Sequence, residues 1–296
     1  YEGHLNINVA KLFRSQNAAF RWNIRGAFSK IEQTVTALNI PAYTTGTPEL
    51  AIFQIEEGQP FGQMVGEVFA TSIEQLADQS DINPADFTIN EAGYVVREDQ
   101  LGTPEEAPYK LRDENGNPLV QPIGNAVPDF RVGIANSLEL GGLRLFALFD
   151  WKKGGSIYNF TKQSLYAVDN HADLSALDIA ANFYGENGLY NGGRPNNHFV
   201  EDGSFFMLRE ASVSYTLDSK MLGGSLANVL SQIRFQLIGR NLWTKTDYSG
   251  FHPDVSQAAF GDSPATSPNG DPNLFAIDYF NYPIRRSFAF SVQLIF

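Results

Sequence analysis

The last twelve or so residues, Arg285 to Phe296, read RRSFAFSVQLIF, and they constrain the fold more than any other stretch. Phe288, Phe290, Val292, Leu294 and Phe296 share one phase of a two-residue period, while Ser287, Ala289, Ser291 and Gln293 share the other. Such alternation is a β-strand with one apolar face and one small or polar face. Two solvents fit the apolar phase. In a soluble sandwich it faces a protein core; in an outer-membrane barrel it faces lipid, and the polar phase faces a wet lumen.

The same alternation recurs along the chain. His4 to Phe13, Phe20 to Lys30, Phe130 to Glu139, Leu143 to Trp151, Phe205 to Leu217 and Ile233 to Thr244 all read as strands, and Leu50 to Glu56 and Gln63 to Ala70 as shorter ones. A single helical turn fits near Ser72 to Asp78, and another between Asp218 and Gln232. The long polar stretches 71–128, 152–203 and 247–283 fall at one end of this series, with a shorter loop after Val35. The short breaks at 14–19, 57–61, 141–142 and 218–232 fall at the other. Long loops outside and short turns inside is the outer-membrane barrel rule, and a sandwich has no reason to sort its loops this way.

Charge placement points the same way. Arg21, Arg25, Arg131, Arg144, Arg234, Arg240 and, less clearly, Arg285 lie on the polar phase. In a sandwich core each would cost several kcal/mol unless paired, whereas a water-filled lumen accepts them. Arg209 is the exception: it shares a phase with Ala211 and Val213 and is expected to snorkel at the outer rim. Trp22, Trp151 and Trp243 sit on the apolar phase near strand ends, where an interfacial girdle belongs. The expected fold is therefore an all-β, antiparallel transmembrane β-barrel with long extracellular loops and short periplasmic turns. About nine strands is an odd number with two open edges, so the chain is expected to be the C-terminal portion of a larger barrel.

Composition excludes several functions. The 296 residues carry 21 basic and 33 acidic side chains, a net charge of −12, which argues against a nucleic-acid partner. Cysteine is absent, so there are neither disulfides nor thiolate metal sites. His4, His171, His198 and His252 show no zinc spacing. The adjacent carboxylates Glu56-Glu57 and Glu105-Glu106 point opposite ways on a strand and make a poor acid–base pair. No glycine stretch precedes a helix and Lys as a phosphate cradle does, and no nucleophile has a local base. No catalytic residue, cofactor or metal is expected.

Several blocks carry a family resemblance. GQPFGQMVGEVF (from Gly58), IGNAVPDFRVGIANSLELGGLRLFALFDWKKGGSIYN (from Ile123), DGSFFMLREASVSYTL (from Asp202), IRFQLIGRNLWTKTDYSGFHPDV (from Ile233) and IDYFNYPIRRSFAFSVQLIF (from Ile277) resemble the SusC/RagA family of TonB-linked outer-membrane transporters, in the family's order. The resemblance implies a barrel of about 22 strands around a plug. It implies energy from TonB and a SusD-like surface lipoprotein as a lid. The cargo would be an oligosaccharide or a peptide. Plug, TonB box and signal peptide are not in this sequence, and the strand ending at Phe296 resembles the signal read by the barrel-assembly machinery. Where the family often has an Asp/Asn/Gly-rich loop, Asp113 to Pro118 is a shortened version of a calcium loop, with Gly124 where its last Glu would stand.

The loop aromatics Tyr158, Tyr166, Tyr184, Tyr190, Tyr248, Phe251, Phe260 and Tyr279 have two readings: contacts for a sugar or lid protein, or packing of the loops against one another. A secreted β-sandwich that binds glycans, and a glycan-degrading enzyme on a β scaffold, remain as rival classes.

Overall fold

A computed structural model of the chain describes residues 1–13, 20–47, 50–80, 82–175, 180–255 and 276–296. Its strands, in chain order, are β1 (Glu2–Asn8), β2 (Phe20–Ser29), β3 (Tyr43–Thr47), β4 (Leu50–Ile55), β5 (Gln63–Glu67), β6 (Phe87–Ile89), β7 (Val95–Arg97), β8 (Val120–Asn125), β9 (Phe130–Leu140), β10 (Leu143–Lys153), β11 (Ser156–Asn159), β12 (Val200–Asp202), β13 (Phe205–Asp218), β14 (Gln232–Thr246), β15 (Ile277–Asp278) and β16 (Ser287–Ile295).

Seven of them form one antiparallel sheet in the order β1-β2-β9-β10-β13-β14-β16. Spatial order follows chain order, so the sheet is a meander and its connections alternate between two ends. At one end lie the short connections 9–19, 141–142 and 219–231; at the other lie 30–129, 154–204 and 247–286. The sorting of loop lengths expected from the sequence is present and stricter than expected. The tightest turn, Gly141-Gly142, needs glycine twice: Gly141 has φ +57°, and a Cβ on Gly142 would stand 2.4 Å from the Thr216 carbonyl oxygen. A short helix, Ser219–Leu222, fills the expected place between β13 and β14.

Two expected wall strands are not in this sheet. β4 and β5 belong to a separate sheet, β3-β4-β5-β8, inside the first long connection. The reason is visible in their burial. β5 is buried at every position, and β4 at Leu50, Ile52, Phe53 and Ile55, with both of the adjacent residues Ile52 and Phe53 buried, so neither strand shows the one covered and one open face of a wall strand. The turn at 57–61 consequently sits with the long connections, and the loop after Val35 is the start of the same connection. The described wall has seven strands rather than about nine.

The long connections pack into one body. Leu50, Ile52, Phe53, Met64, Phe69, Tyr158, Tyr166, Phe183, Leu189 and Phe199 are buried together there, with Val68, Ala70, Leu76, Val95 and Leu111 as a neighbouring cluster. The hairpin β6-β7 and the mixed sheet β12-β11-β15 complete it. Among the described residues nearly all of the closed hydrophobic core lies in this body, while the apolar phase of the large sheet stays uncovered. Among the described residues no helix is long and apolar enough to cross a membrane, a test that does not address strands.

Candidate functional site: a two-faced sheet capped by packed loops

The apolar face has no protein layer over it. Phe288 and Phe290 are 69% and 68% exposed, and Val292, Leu294, Leu237, Phe235 and Leu145 are all exposed. At the long-loop end this face carries a band of rings running from strand to strand. Phe28 meets Phe130 at 6.1 Å, Phe130 meets Trp151 edge-on at 4.9 Å, Phe149 stacks on Phe206 at 5.6 Å, and Phe206 meets Trp243 at 6.0 Å. Trp151 and Trp243 thus stand at one border of the apolar zone. Trp22 lies toward the short-turn end of β2, and its indole N–H donates to Asn136 Oδ1 at 3.0 Å. That bond occupies the one polar side chain of β9 that falls on the apolar phase. Sequence reading found the three tryptophans but not the phenylalanines that pack against two of them.

The opposite face holds the arginines, and most of them are paired across strands of this same wall. Arg21 Nε donates to Glu139 at 2.7 Å, and Arg144 approaches the other Glu139 oxygen at 3.5 Å. Arg240 Nε donates to Glu210 at 3.0 Å, and Arg234 Nε to Thr216 Oγ1 at 3.3 Å. Arg131 forms a two-pronged pair with Asp150, at 3.0 and 2.6 Å. Arg25 is exposed and in no ion pair among the described residues. Side chains on alternating residues of neighbouring strands meet in this way because directly opposite positions lie on one face.

Arg209 does not snorkel at the outer rim. Against β10 the pairing shifts between Leu208 and Glu210 while Leu148 and Phe149 stay adjacent, so Arg209 is an extra, bulged residue on that side; against β14 the extra residue is on β14, where Asn241 and Leu242 stand opposite Arg209 alone. The bulge turns it to the polar face, where it donates to Asp150 at 2.9 and 2.7 Å and to Asp254 at 2.5 Å. Asp254 comes from the last long connection, so this cluster ties that loop to the wall. Arg131, Lys152 and Arg209 also surround the Phe205 ring at 5.8, 5.2 and 5.4 Å.

Three of the loop aromatics are closed off within the loop body. Tyr158 is fully buried; its hydroxyl donates to Gln163 Oε1 at 2.9 Å, and Gln163 in turn donates to the carbonyls of Tyr190 and Arg194. Tyr248 is buried and donates to Asp278 at 2.5 Å; burial and this carboxylate push its hydroxyl pKa up. Tyr166 is buried as well. These take the packing reading. Tyr184 and Tyr190 are partly buried against the same core, and Tyr279 stacks on Phe160 at 4.8 Å. Phe251 is 73% exposed. Phe260 lies outside the described residues. Asp113, from the shortened calcium-like stretch, uses Oδ1 to accept from the amides of Asn115 and Asn117 at 2.9 and 2.8 Å, and so closes a turn.

A buried polar relay escaped the sequence reading. Tyr166 donates to Asp173 at 2.5 Å, so its oxygen accepts from His198 Nε2 at 3.0 Å, and Tyr94 then donates to His198 Nδ1 at 2.7 Å. Burial, with Lys162 beside it, pushes the His198 imidazole down to about 3, so it is neutral. Tyr94 comes from the first long connection and the others from the second, so the relay pins two loops together. Four scattered histidines gave no signal of it; Asn159, which caps the helix Phe160–Ala167, was the available sign of an ordered segment here.

An antiparallel meander with an uncovered apolar face, an aromatic border and all long connections at one end is of the kind that builds outer-membrane barrels. No protein-family model matches the chain. TonB-dependent receptor P3 of Formosa agariphila is 28% identical over 181 residues, 59% of this chain and 17% of that protein. TonB-dependent receptor P26 of the same organism is 24% identical over 163 residues, 50% of this chain and 16% of that protein. The RagAB peptide transporter structure aligns over 99% of this chain and 28% of its own, with TM-score 0.60 and 18% identity. The RagAB peptide importer in its open-open state aligns over 100% and 28%, with TM-score 0.61 and 17% identity. The resemblance read from the sequence therefore stands: the chain is similar to the SusC/RagA-like, TonB-dependent transporters, which places it in the outer membrane. It spans about a sixth of the length of the curated relatives it matches.

Proposed function

We propose that this chain is the C-terminal part of the wall of a TonB-dependent transporter, with the extracellular loops of that wall, and that the whole protein imports nutrients across the outer membrane. One observation carries the reading: a single-layer sheet leaves Phe288, Phe290 and Val292 uncovered while the loops at one end bury their own core. In water that face would expose a large apolar patch; in lipid it is satisfied.

The barrel has about 22 strands, closed by pairing of β1 and β16 with strands of the rest of the protein. Arg21, Arg25, Arg131, Arg144, Arg234 and Arg240 face its lumen, and Trp22, Trp151 and Trp243 its membrane borders. The cargo is an oligosaccharide or a peptide. Transport draws on TonB through parts outside this chain, and a SusD-like lipoprotein seats over the loops, with Phe251 and Tyr279 as candidate contacts. Phe296 closes the strand read by the assembly machinery. The chain performs no bond chemistry.

Deleting the intact gene tests this reading. The mutant is expected to lose growth on one class of oligosaccharide or peptide as sole nutrient, and a strain lacking TonB is expected to lose the same growth. Retention of growth in the TonB-less strain sinks the proposal. The rival soluble sandwich predicts release of the intact protein as a monomer without detergent.

A further inference from the structure

A cleft of 420 Å³ opens in the loop body between the segment following β7 and the loop around Asn191. That volume is within the range of about 300–1,000 Å³ that small-ligand sites occupy. Arg97, Lys110, Arg112 and Arg194 line it, with Glu186 as the lining acid. In a protein of net charge −12, a cleft carrying four cations runs against the prevailing sign.

The existing partners commit Lys110, which pairs with Glu67 and donates to Asn191 Oδ1, and leave Arg97 and Arg112 available. Glu67 lies beneath Lys110 at 2.9 Å and Arg194 at 3.6 Å. Burial opposes its charge, yet the bonds from Lys110 and Asn191 outweigh that and hold its carboxyl below the usual range. Glu67 therefore braces Lys110 from behind rather than filling the cleft. Arg97 is paired with Asp99 at 2.9 Å, but both side chains are about half exposed or more, and such pairs are weak enough to be exchanged for a ligand. Arg112 donates to the Gly116 carbonyl at 2.7 Å and is in no ion pair among the described residues. Glu67, Asp99, Glu186 and Asp86, whose charge also acts on Arg97, balance the four cations in number, and Arg112 is the guanidinium with no carboxylate paired to it among the described residues. Phe87 and Tyr109, edge-to-face at 5.2 Å, supply ring surface in the same lining.

We infer that this cleft binds an acidic saccharide, with the guanidinium groups of Arg112 and Arg97 taking its carboxylates and the Phe87 and Tyr109 rings its apolar ring faces. Guanidinium forks match carboxylates in two-pronged geometry, and aromatic rings offer flat amphipathic surface. The inference deepens the transporter reading and rests on it, since it takes the loop body as the entrance for cargo.

The test is calorimetric titration of the intact protein in detergent with trigalacturonate, neutral galactotriose and triglutamate. Trigalacturonate alone is expected to bind, and Arg112→Gln and Arg97→Gln are each expected to weaken it about tenfold, roughly 1.4 kcal/mol. Both side chains are solvent-facing, and unchanged heat-modifiable gel mobility verifies that each variant is folded. Equal binding of galactotriose, or unchanged affinity in both variants, overturns the site. Tighter binding of triglutamate overturns the saccharide assignment. Uptake is measured separately in cells: binding without uptake of the same sugar leaves the site and removes the transport reading, whereas uptake without preference for the uronate removes the site and leaves transport.

Discussion

Two side chains, Asp150 and His198, decide how the loops attach to the wall and to one another. The Asp150 carboxylate accepts four N–H bonds, two from Arg131 and two from Arg209, while its side chain is 12% exposed. Asp150→Asn leaves two guanidinium groups facing each other. Breaking a buried pair costs about 3–5 kcal/mol, and the partial exposure of Arg131 puts this case at the low end. The expected outcome is faster backbone hydrogen exchange at residues 250–255, because Asp254 loses a fixed partner in Arg209. His198 sets a pH dependence. Its folded imidazole titrates at about 3 and an unfolded one near 6.5, so between those values the unfolded loops bind a proton that the folded ones do not. Stability of the loop body is therefore full above about pH 6.5 and falls as pH drops toward 3. Glu67 and Asp173, both held low, add to the loss only in the carboxylate range. In His198→Gln the slope between pH 6.5 and 4.5 is expected to become shallower in thermal melts of the intact protein, the remainder coming from His252, which burial also holds below the ordinary imidazole value.

At the scale of elements, the two faces of the sheet give opposite tolerances. Leu237 and Gln236 are neighbours on β14, yet Leu237 lies on the uncovered face and Gln236 opposite Ser214 and Ser291. An arginine near the middle of the lipid face costs about 2–4 kcal/mol, and one in a lumen costs little. Leu237→Arg is expected to reduce the amount of assembled barrel in outer-membrane fractions several-fold, and Gln236→Arg to leave it unchanged. In the loop body β5 is held by contact: a Cβ on Gly66 would stand 2.6 Å from Ile123 Cδ1 and 2.7 Å from the Pro195 carbonyl oxygen, which already accepts from Glu67 at 2.8 Å. Gly66→Ala is expected to cost about 1–3 kcal/mol of overpacking, read as earlier proteolysis of the loops with assembly intact. These wall elements were legible because lipid and lumen impose a strict period of two. β4 and β5 were misplaced because QMVGE is buried throughout and LAIFQI buries both Ile52 and Phe53, on opposite faces, and a short apolar run does not say which sheet it joins. The bulge at Arg209 did leave a trace in the sequence: the apolar positions switch from even (Phe206, Leu208) to odd (Ala211, Val213, Tyr215) across it. The His198 relay left none, because its members come from separate loops and meet only once the loops are folded.

For the whole molecule, the large sheet ends in two edges. Among the described strands β1 pairs only with β2 and β16 only with β14. A row of unpaired amides and carbonyls in hydrocarbon costs several kcal/mol per group, so an open sheet cannot remain in lipid. The arginine face makes the same demand, since its charges need water and a sheet exposed on both sides to lipid would give them none. Both conditions are met at once if strands elsewhere in the protein complete a ring with this wall. Closure of that kind resists detergent denaturation until heated. The intact protein is therefore expected to run in SDS gels as a fast band when unheated and a slow band when boiled. Residues 1–296 expressed alone should give the slow band under both conditions. A heat-sensitive fast band from residues 1–296 alone would mean that β1 and β16 satisfy each other, and the larger ring would fall.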